Sequence, residues 1–488
     1  MHLIDNVYLG GENKRIPNHP KSAKLSPMCA KITKIGITKD RISSRGGLTP
    51  FLKYVENIGT YGLVFKFLSD HVCKMSRGLQ LCQFLKQMFA FFIDGTDMNM
   101  QSFDRQRKDD GYCAALELDS RGGASSHSIK RFFAKFCDAK DLIFNKILHE
   151  LFIWRLKITK PEIIILGIDT MVMDNDDAHK REGCEVTYKK KKGFQPLHIC
   201  WGRFLVDVMF RKGSAHSNHG TDFIDRVTAI VTLIRGRYNA DVAITLCADS
   251  GFFDQKAFEY FEEKLHIHYI VTGKLYADIK EDLGQSDETS YGEIRKNKAV
   301  WKYLELGHKL KSWSKYRRCL ITKLLTDDKG QFIIDFCRPD SIIYTNIGTT
   351  PIADARLREA GGARYFDAEM IIETSHQRGA DELIHRSIKE LAVREQLPFN
   401  KFAMNRAYYF LLVVTHFLYE SYKEDITHDV VPITCYPNTF RRKMIDFAAK
   451  FTSRARSTIL NVSQTVYDNI KLSELWIRCG KPIEIQLE

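Results

Sequence analysis

The sequence predicts an α/β protein. A mixed five-stranded sheet forms its core, a β-rich insertion interrupts that core, and helical regions precede and follow it. Three observations predict this. Short runs rich in branched residues, Ile163–Ile168 and Val242–Ala248, read as buried strands bounded by turn residues. Leu79, Leu81, Leu85, Met88, Phe89 and Phe92 recur mostly at three- and four-residue steps, the mark of a helix with one apolar face. Asp169 and Asp249 end the two strand runs, where folding asks for no charge. A buried unpaired carboxylate costs on the order of several kcal/mol. Two such positions point to a bound divalent cation.

Bulk composition narrows the classes. A chain of 488 residues is too long for one core and predicts roughly two to four domains. Hydrophobic residues make up 44%, enough to build cores. Lys plus Arg number 73 against 60 Asp plus Glu, a formal charge of +13 that suits a polyanionic partner. The 12 Cys are scattered without a CxxC pair or zinc-type spacing, which reads as a reduced, cytosolic chain. His216 and His219 lie in a polar connection and read as solvated loop residues. The first residues lack a signal-peptide pattern, and apolar stretches such as Met88–Ile93 are too short to span a bilayer, so no membrane partner is expected. No GxxxxGK[ST] loop is present.

Residues 1–160 read as a basic arm followed by a helical, DNA-binding type of domain. Within it, Ser125–Lys135 combines a Ser-rich cap with the basic Lys130 and Arg131. It reads either as a recognition helix or as an ordinary capped surface helix. Pro161 marks a change to an α/β pattern over residues 161–280. Strand one spans 163–173; Gln195–Trp201 and Phe204–Phe210 form a hairpin through Gly202 and Arg203. A helix presents Phe223, Val227, Ile230, Val231 and Ile234 on one face. Strand four ends at Asp249, a helix follows Asp254, and His268–Val271 is strand five. This order fits the ribonuclease H-like fold, whose first and fourth strands are adjacent. Asp169 and Asp249 are then neighbours at the strand ends, where open α/β sheets place their sites. Residues 281–365 read as the β-rich insertion, with strands Trp301–Leu310, Cys319–Leu325 and Phe332–Phe336 and a turn at 326–330. Residues 366–425 return to helix, including a long apolar one from Phe402. Residues 426–488 form a basic C-terminal region containing Arg441, Arg442 and Lys443.

Two-metal phosphoryl transfer needs a third carboxylate beside the two aspartates. Glu369, Glu373, Asp381, Glu382 and Glu390 are the candidates. Within His376–Leu391, Arg378, Glu382 and Lys389 are spaced by four and seven, so they share one helix face. The chain also carries Ile168-Asp169-Thr170, Asp249-Ser250-Gly251-Phe252-Phe253, Tyr344-Thr345-Asn346 and Phe399-Asn400. Together these resemble the bacterial insertion-sequence DDE transposases of group 1, the type with a β insertion in the catalytic core. The resemblance runs from about Lys31 to Leu418. One signature position departs: Ser375 stands where the family usually has Tyr, three residues before the Arg.

The resemblance implies a transposase that binds terminal inverted repeats and carries out cut-and-paste DNA cleavage and strand transfer. Asp169, Asp249 and Glu382 would be both catalytic and metal-binding, holding two Mg²⁺, with Mn²⁺ as a substitute. Arg378 and Lys389 would hold DNA, as would Lys189, Lys190, Lys191 and Lys192 between strands one and two, which otherwise read as a solvated charge run. Trp301 and Trp313 in the insertion read as base-stacking residues or as core. Expected partners are double-stranded DNA, as repeats and target, and a second copy in a synaptic dimer. The expected location is the bacterial cytoplasm, at the nucleoid. The alternatives are a ribonuclease H-like nuclease or resolvase without strand transfer, and a catalytically inactive DNA-binding derivative.

Overall fold

In the computed structural model, an eight-residue strand flanked on both sides within the main sheet positions the candidate site. The structure describes residues 34–488 apart from 73–78, 98, 119–121, 138–140, 178–179, 216–221, 274–278, 280–289, 334–340, 378, 455–456, 483–484, 486 and 488. His216 and His219 therefore lie outside the described residues. The chain divides into two units, Met1–Asp40 and Arg41–Glu488. Of the first, residues 34–40 are exposed, with Thr38 Oγ1 donating to Asp40 at 2.8 Å.

The second unit is a mixed α/β structure. Strand β1 (Arg41–Ser43) precedes the N-terminal helices Leu48–Asn57, Thr60–Val72, Leu81–Asp94, Ser126–Ala134 and Asp141–Thr159. The eight-residue strand is β2 (Ile163–Thr170). Three short strands, β3 (Met173–Asp174), β4 (Glu185–Val186) and β5 (Lys192–Phe194), make a small separate sheet. The hairpin β6 (Leu197–Trp201) and β7 (Phe204–Met209) turns through Gly202, whose φ of +57° suits glycine. Then follow β8 (Ala243–Ala248), β9 (His268–Thr272), β10 (Gly292–Lys296), β11 (Ala299–His308), β12 (Arg317–Thr326) and β13 (Ser341–Thr345).

The main sheet has nine strands in the order β10-β11-β12-β13-β9-β8-β2-β6-β7. β2 runs parallel to β8 and antiparallel to β6; β8 runs parallel to β9. The insertion strands continue this sheet, because β13 pairs antiparallel with β9 (Ile343 opposite Thr272). Of the predicted strand Phe332–Phe336, Phe332 bridges antiparallel to Thr326 and Ile333 N donates to Leu325 O at 2.8 Å, while residues 334–336 lie outside the described residues. The Phe332 side chain itself is 86% exposed. A strand that the sequence reading did not expect, β10, pairs on the other side of β11.

The helix Asp222–Arg237 buries Phe223, Val227, Ile230, Val231 and Ile234, the face its spacing predicts. Ile163 and Ile165 of β2 and Ala243 and Cys247 of β8 pack with Leu357, Ala368, Ile371 and Ile372 from the helices Pro351–Glu359 and Ala368–Gln377. The helix Phe402–Tyr422 buries every residue from Ala407 to Tyr422. An all-round apolar helix needs partners on every side. It finds them in helices of the N-terminal region, the sheet and Gly379–Ala392, and one hydrophobic cluster runs from Leu48 to Cys479. β14 (Ala449–Arg454) pairs with β1 and with β15 (Ser457–Asn461), joining the N-terminal helices to the last ones, Gln464–Asn469 and Leu472–Cys479.

The basic C-terminal triplet divides. Arg442 and Lys443 are exposed, whereas Arg441 is buried at 6% exposure and donates to the carbonyls of Phe92, Ile93, Glu390 and Leu391. Those carbonyls end two helices, where a cation satisfies orphan acceptors and the helix dipole together. Arg441 is thus a clamp between helices rather than part of a basic surface.

Candidate active site

The site grows out of strand register. Ile163 lies opposite Ala243 and Ile168 opposite Ala248 in the parallel pair β2–β8. One residue further, Asp169 and Asp249 stand at the C-terminal ends of adjacent strands about 4.8 Å apart, and both line one cleft. Local chemistry fixes both. Asp169 Oδ1 accepts the backbone N–H of Thr170 at 2.7 Å. Asp249 caps the short turn Ser250–Phe252, its Oδ1 accepting from Gly251 N at 2.7 Å.

A cleft of about 750 Å³ opens at this edge. Asp169 and Asp249 line it, together with Glu382, His385, Lys389 and Glu390 from the helix Gly379–Ala392. Glu382 is exposed. Among the described residues, however, no group of three or more His, Cys, Asp and Glu side chains stands close enough to hold an ion. The two aspartates form a pair at the strand ends, and Glu382 shares their cleft without joining them in one ligand shell. Three carboxylates repel one another, which opposes a tight triplet of bare acids. The donors available are carboxylate oxygens, which suit Mg²⁺ or Mn²⁺ rather than a soft metal.

Two residues that sequence reasoning passed over face the acids. His385 Nδ1 is 3.9 Å from Asp169 Oδ2. Burial, then Lys389 and Lys189, pushes its imidazole down to about 4, so it is neutral at pH 7. Its step of three from Glu382 on one helix was the available signal. Tyr188 lines the cleft from the connection between β4 and β5. Burial, then Asp169 and Asp249, raises its phenol, which keeps its proton. Its place beside Lys189 was the clue.

The predicted DNA-contacting residues scatter. Lys189 lines the cleft. Lys190 is exposed at the turn, with φ +60°. Lys191 pairs with Asp174 at 2.6 Å, and this contact lowers the Asp174 carboxyl. Lys192 is exposed at the start of β5. Lys389 lines the cleft and pairs with Glu395 at 2.9 Å. Arg378 lies outside the described residues. Lys130 and Arg131 sit exposed on the helix Ser126–Ala134, whose Ser125 cap accepts from Ser128 N, and neither lines the cleft. Trp301 is half-buried on β11, 5.3 Å from the His376 ring. Trp313 is 3% exposed and packs on Phe253, Tyr344 and Arg317, so its faces are covered by protein.

A family model described as transposase DDE domain group 1 matches residues 30–477. The chain belongs to that family. DDE transposases generally use divalent metal ions. No curated protein matches the chain. Among solved structures, it is similar to the piggyBac transposase synaptic complex with hairpin DNA, at 11% identity and a TM-score of 0.39, covering 91% of this chain and 85% of that one. Among the described residues, no helix of this transposase is long and apolar enough to cross a membrane.

Proposed function

We propose that this transposase binds the terminal inverted repeats of its own element and performs DNA cleavage and strand transfer at the cleft carrying Asp169, Asp249 and Glu382. The observation that carries the proposal is the β2–β8 register, which sets two aspartates side by side in a member of a DDE family. The strand order β7-β6-β2-β8-β9, antiparallel on one side of β2 and parallel on the other, supports a ribonuclease H-like core extended by the insertion. The three carboxylates would hold two Mg²⁺, with Glu382 closing on the aspartate pair. Bound there, the ions would acidify an attacking water and offset charge developing on the phosphate.

The chain's own residues do the rest. Lys189 and Lys389 stand on the cleft walls where DNA phosphates would lie. Neutral His385 adds no cation beside Asp169, so it does not compete with metal for that carboxylate. Lys130 and Arg131 on their exposed helix, and Arg442 and Lys443 at the C-terminal end, are the surfaces proposed to grip DNA away from the cleft. In this reading residues 1–160 bind repeats and residues 161–425 carry the catalytic core with its insertion. Acting on two ends requires two sites, so the working form is a DNA-bridged dimer in a bacterial cytoplasm.

The test uses the full chain with duplex DNA bearing the repeats that flank its gene, plus Mg²⁺ or Mn²⁺. Asp249→Asn is expected to abolish end cleavage while duplex binding persists. Unchanged cleavage overturns the site. Cleavage by the unaltered protein without joining to target DNA reduces the function to that of a nuclease.

A further inference from the structure

We infer that residues 34–40 of one copy seat in an apolar groove beside β15 of a second copy, and reciprocally, so that two chains exchange arms. The inference goes beyond the proposed function, which asks only for a dimer bridged by DNA, and it does not depend on the chemistry of the cleft. Two features of the chain call for it. The first is the arm itself. Lys34-Ile35-Gly36-Ile37-Thr38-Lys39-Asp40 forms neither helix nor strand, and Ile35 is 99% and Ile37 100% exposed. Residues two apart share a face when a chain is extended, so both isoleucines can be offered to one surface. Single exposed apolar residues are ordinary, but two on one face make a side that burial would stabilise.

The second feature is a groove of about 460 Å³. Thr458, Ile459 and Leu460 of β15 line one wall. Successive strand side chains point to opposite faces, so three in a row place the groove along the edge of the strand. Leu472, Trp476 and Ile477 of the helix Leu472–Cys479 line the other wall, at spacings that share a helix face. Ile459, Tyr467, Trp476 and Ile477 are exposed there, and Lys53 Nζ lies 4.0 Å from the Trp476 ring centroid. β15 is an edge of its three-stranded sheet, with no further strand on its outer side among the described residues. An edge strand accepts an added strand, and pockets beside it take alternate side chains. The arm supplies those alternate side chains in Ile35 and Ile37. Its seven residues are enough to follow the five of β15. Lys34 and Lys39 flank the isoleucines and complement Glu117, which also lines the groove. Every copy carries both arm and groove, so the exchange closes as a two-fold dimer with two identical contacts.

The experiment is sedimentation of the full chain without DNA, over a concentration series. The unaltered protein is expected to form a dimer. An arm variant, Ile35→Asp with Ile37→Asp, and a groove variant, Ile459→Asp with Ile477→Asp, are each expected to weaken that dimer by about 100-fold or more, since each removes two branched side chains from both symmetric contacts. All four positions are exposed, so their substitution leaves the core untouched. Mixing the two variants is expected to give tighter association than either shows alone, because one intact arm then meets one intact groove. A monomeric unaltered chain, as an arm folded onto its own groove would give, overturns the exchange. So does a dimer that either variant leaves intact, which would mean contact through another surface, or the absence of any gain on mixing. Asp249→Asn is expected to leave the dimer unchanged, so a failure of the cleft and a failure of the exchange are read separately.

Discussion

Replacing Arg441 should destabilise the whole molecule, although the residue sits in a run that reads as surface charge. Its guanidinium donates to Ile93 O and Phe92 O at 2.8 Å, Glu390 O at 2.9 Å, Leu391 O at 3.2 Å and Asn438 Oδ1 at 3.0 Å. Arg441→Met keeps most of the volume and removes every donor. Four helix-end carbonyls then lose a charged partner in a site with little water. A hydrogen bond to a charged group contributes about 1.5–3 kcal/mol, but the desolvation of the guanidinium itself disappears in the variant. The net loss expected is therefore about 3–5 kcal/mol, the size seen when one partner of a buried charged contact is deleted. Arg441→Lys should fall between, because one ammonium cannot reach both helix ends with fork geometry. Urea denaturation of the three proteins measures this. Amide hydrogen exchange at Glu390 and Leu391 should also quicken in Arg441→Met, since the end of the glutamate helix loses its anchor. A change below about 0.5 kcal/mol, the ordinary scale of a surface substitution, refutes the clamp.

Three further outcomes are expected. Glu382→Gln should abolish end cleavage. Glu390→Gln should not, because Glu390 is held by Arg386 at 2.9 Å and Asn438 N at 3.1 Å; the reverse pattern in a gel cleavage assay would exchange their roles. Lys189→Ala should weaken DNA binding and reduce the slope of log affinity against log salt by about 0.9, the share of one phosphate contact, and an unchanged slope in a salt titration removes Lys189 from the interface. His416 sets an acid limit on stability. Burial, then Lys423 and Arg203, pushes its imidazole down to about 3. Below its ordinary value of 6.5 the unfolded chain takes a proton that the folded one refuses. Its contribution to stability is therefore lost as pH falls from about 6.5 towards 3, at up to about 1.4 kcal/mol per pH unit. His416→Gln should flatten the dependence of the urea midpoint on pH across that window; equal slopes would mean His416 does not titrate as argued.

How much of this was legible in the sequence depends on what kind of contact each residue makes. β2 and β8 announced themselves because their burial comes from unbroken apolar runs, and the aspartates stood out by interrupting them. The helix Asp222–Arg237 was equally plain, since its buried face follows its period. β10 was not, because in Gly292–Lys296 only Ile294 is buried, and one apolar residue carries no alternation. Phe332 is 86% exposed, so its pairing with Thr326 is made by backbone and not by packing of its ring. Glu382 is exposed, so burial could never have singled it out, and only its spacing from Arg378 and Lys389 did. Tyr188 was hidden because its hairpin has two- and three-residue strands with polar sequences, whose turn is made by hydrogen bonds rather than by hydrophobic pattern. Arg441 shows the limit most sharply. A buried cation is recognisable only by the carbonyls it satisfies, and those lie about 50 and 350 residues away along the chain. A charge run therefore reads as solvated until the helix ends that need it are brought together. The same reasoning governs the tetralysine segment, where one lysine faces the cleft, one is tied to an aspartate, and the turn they share owes its position to the small sheet beneath it.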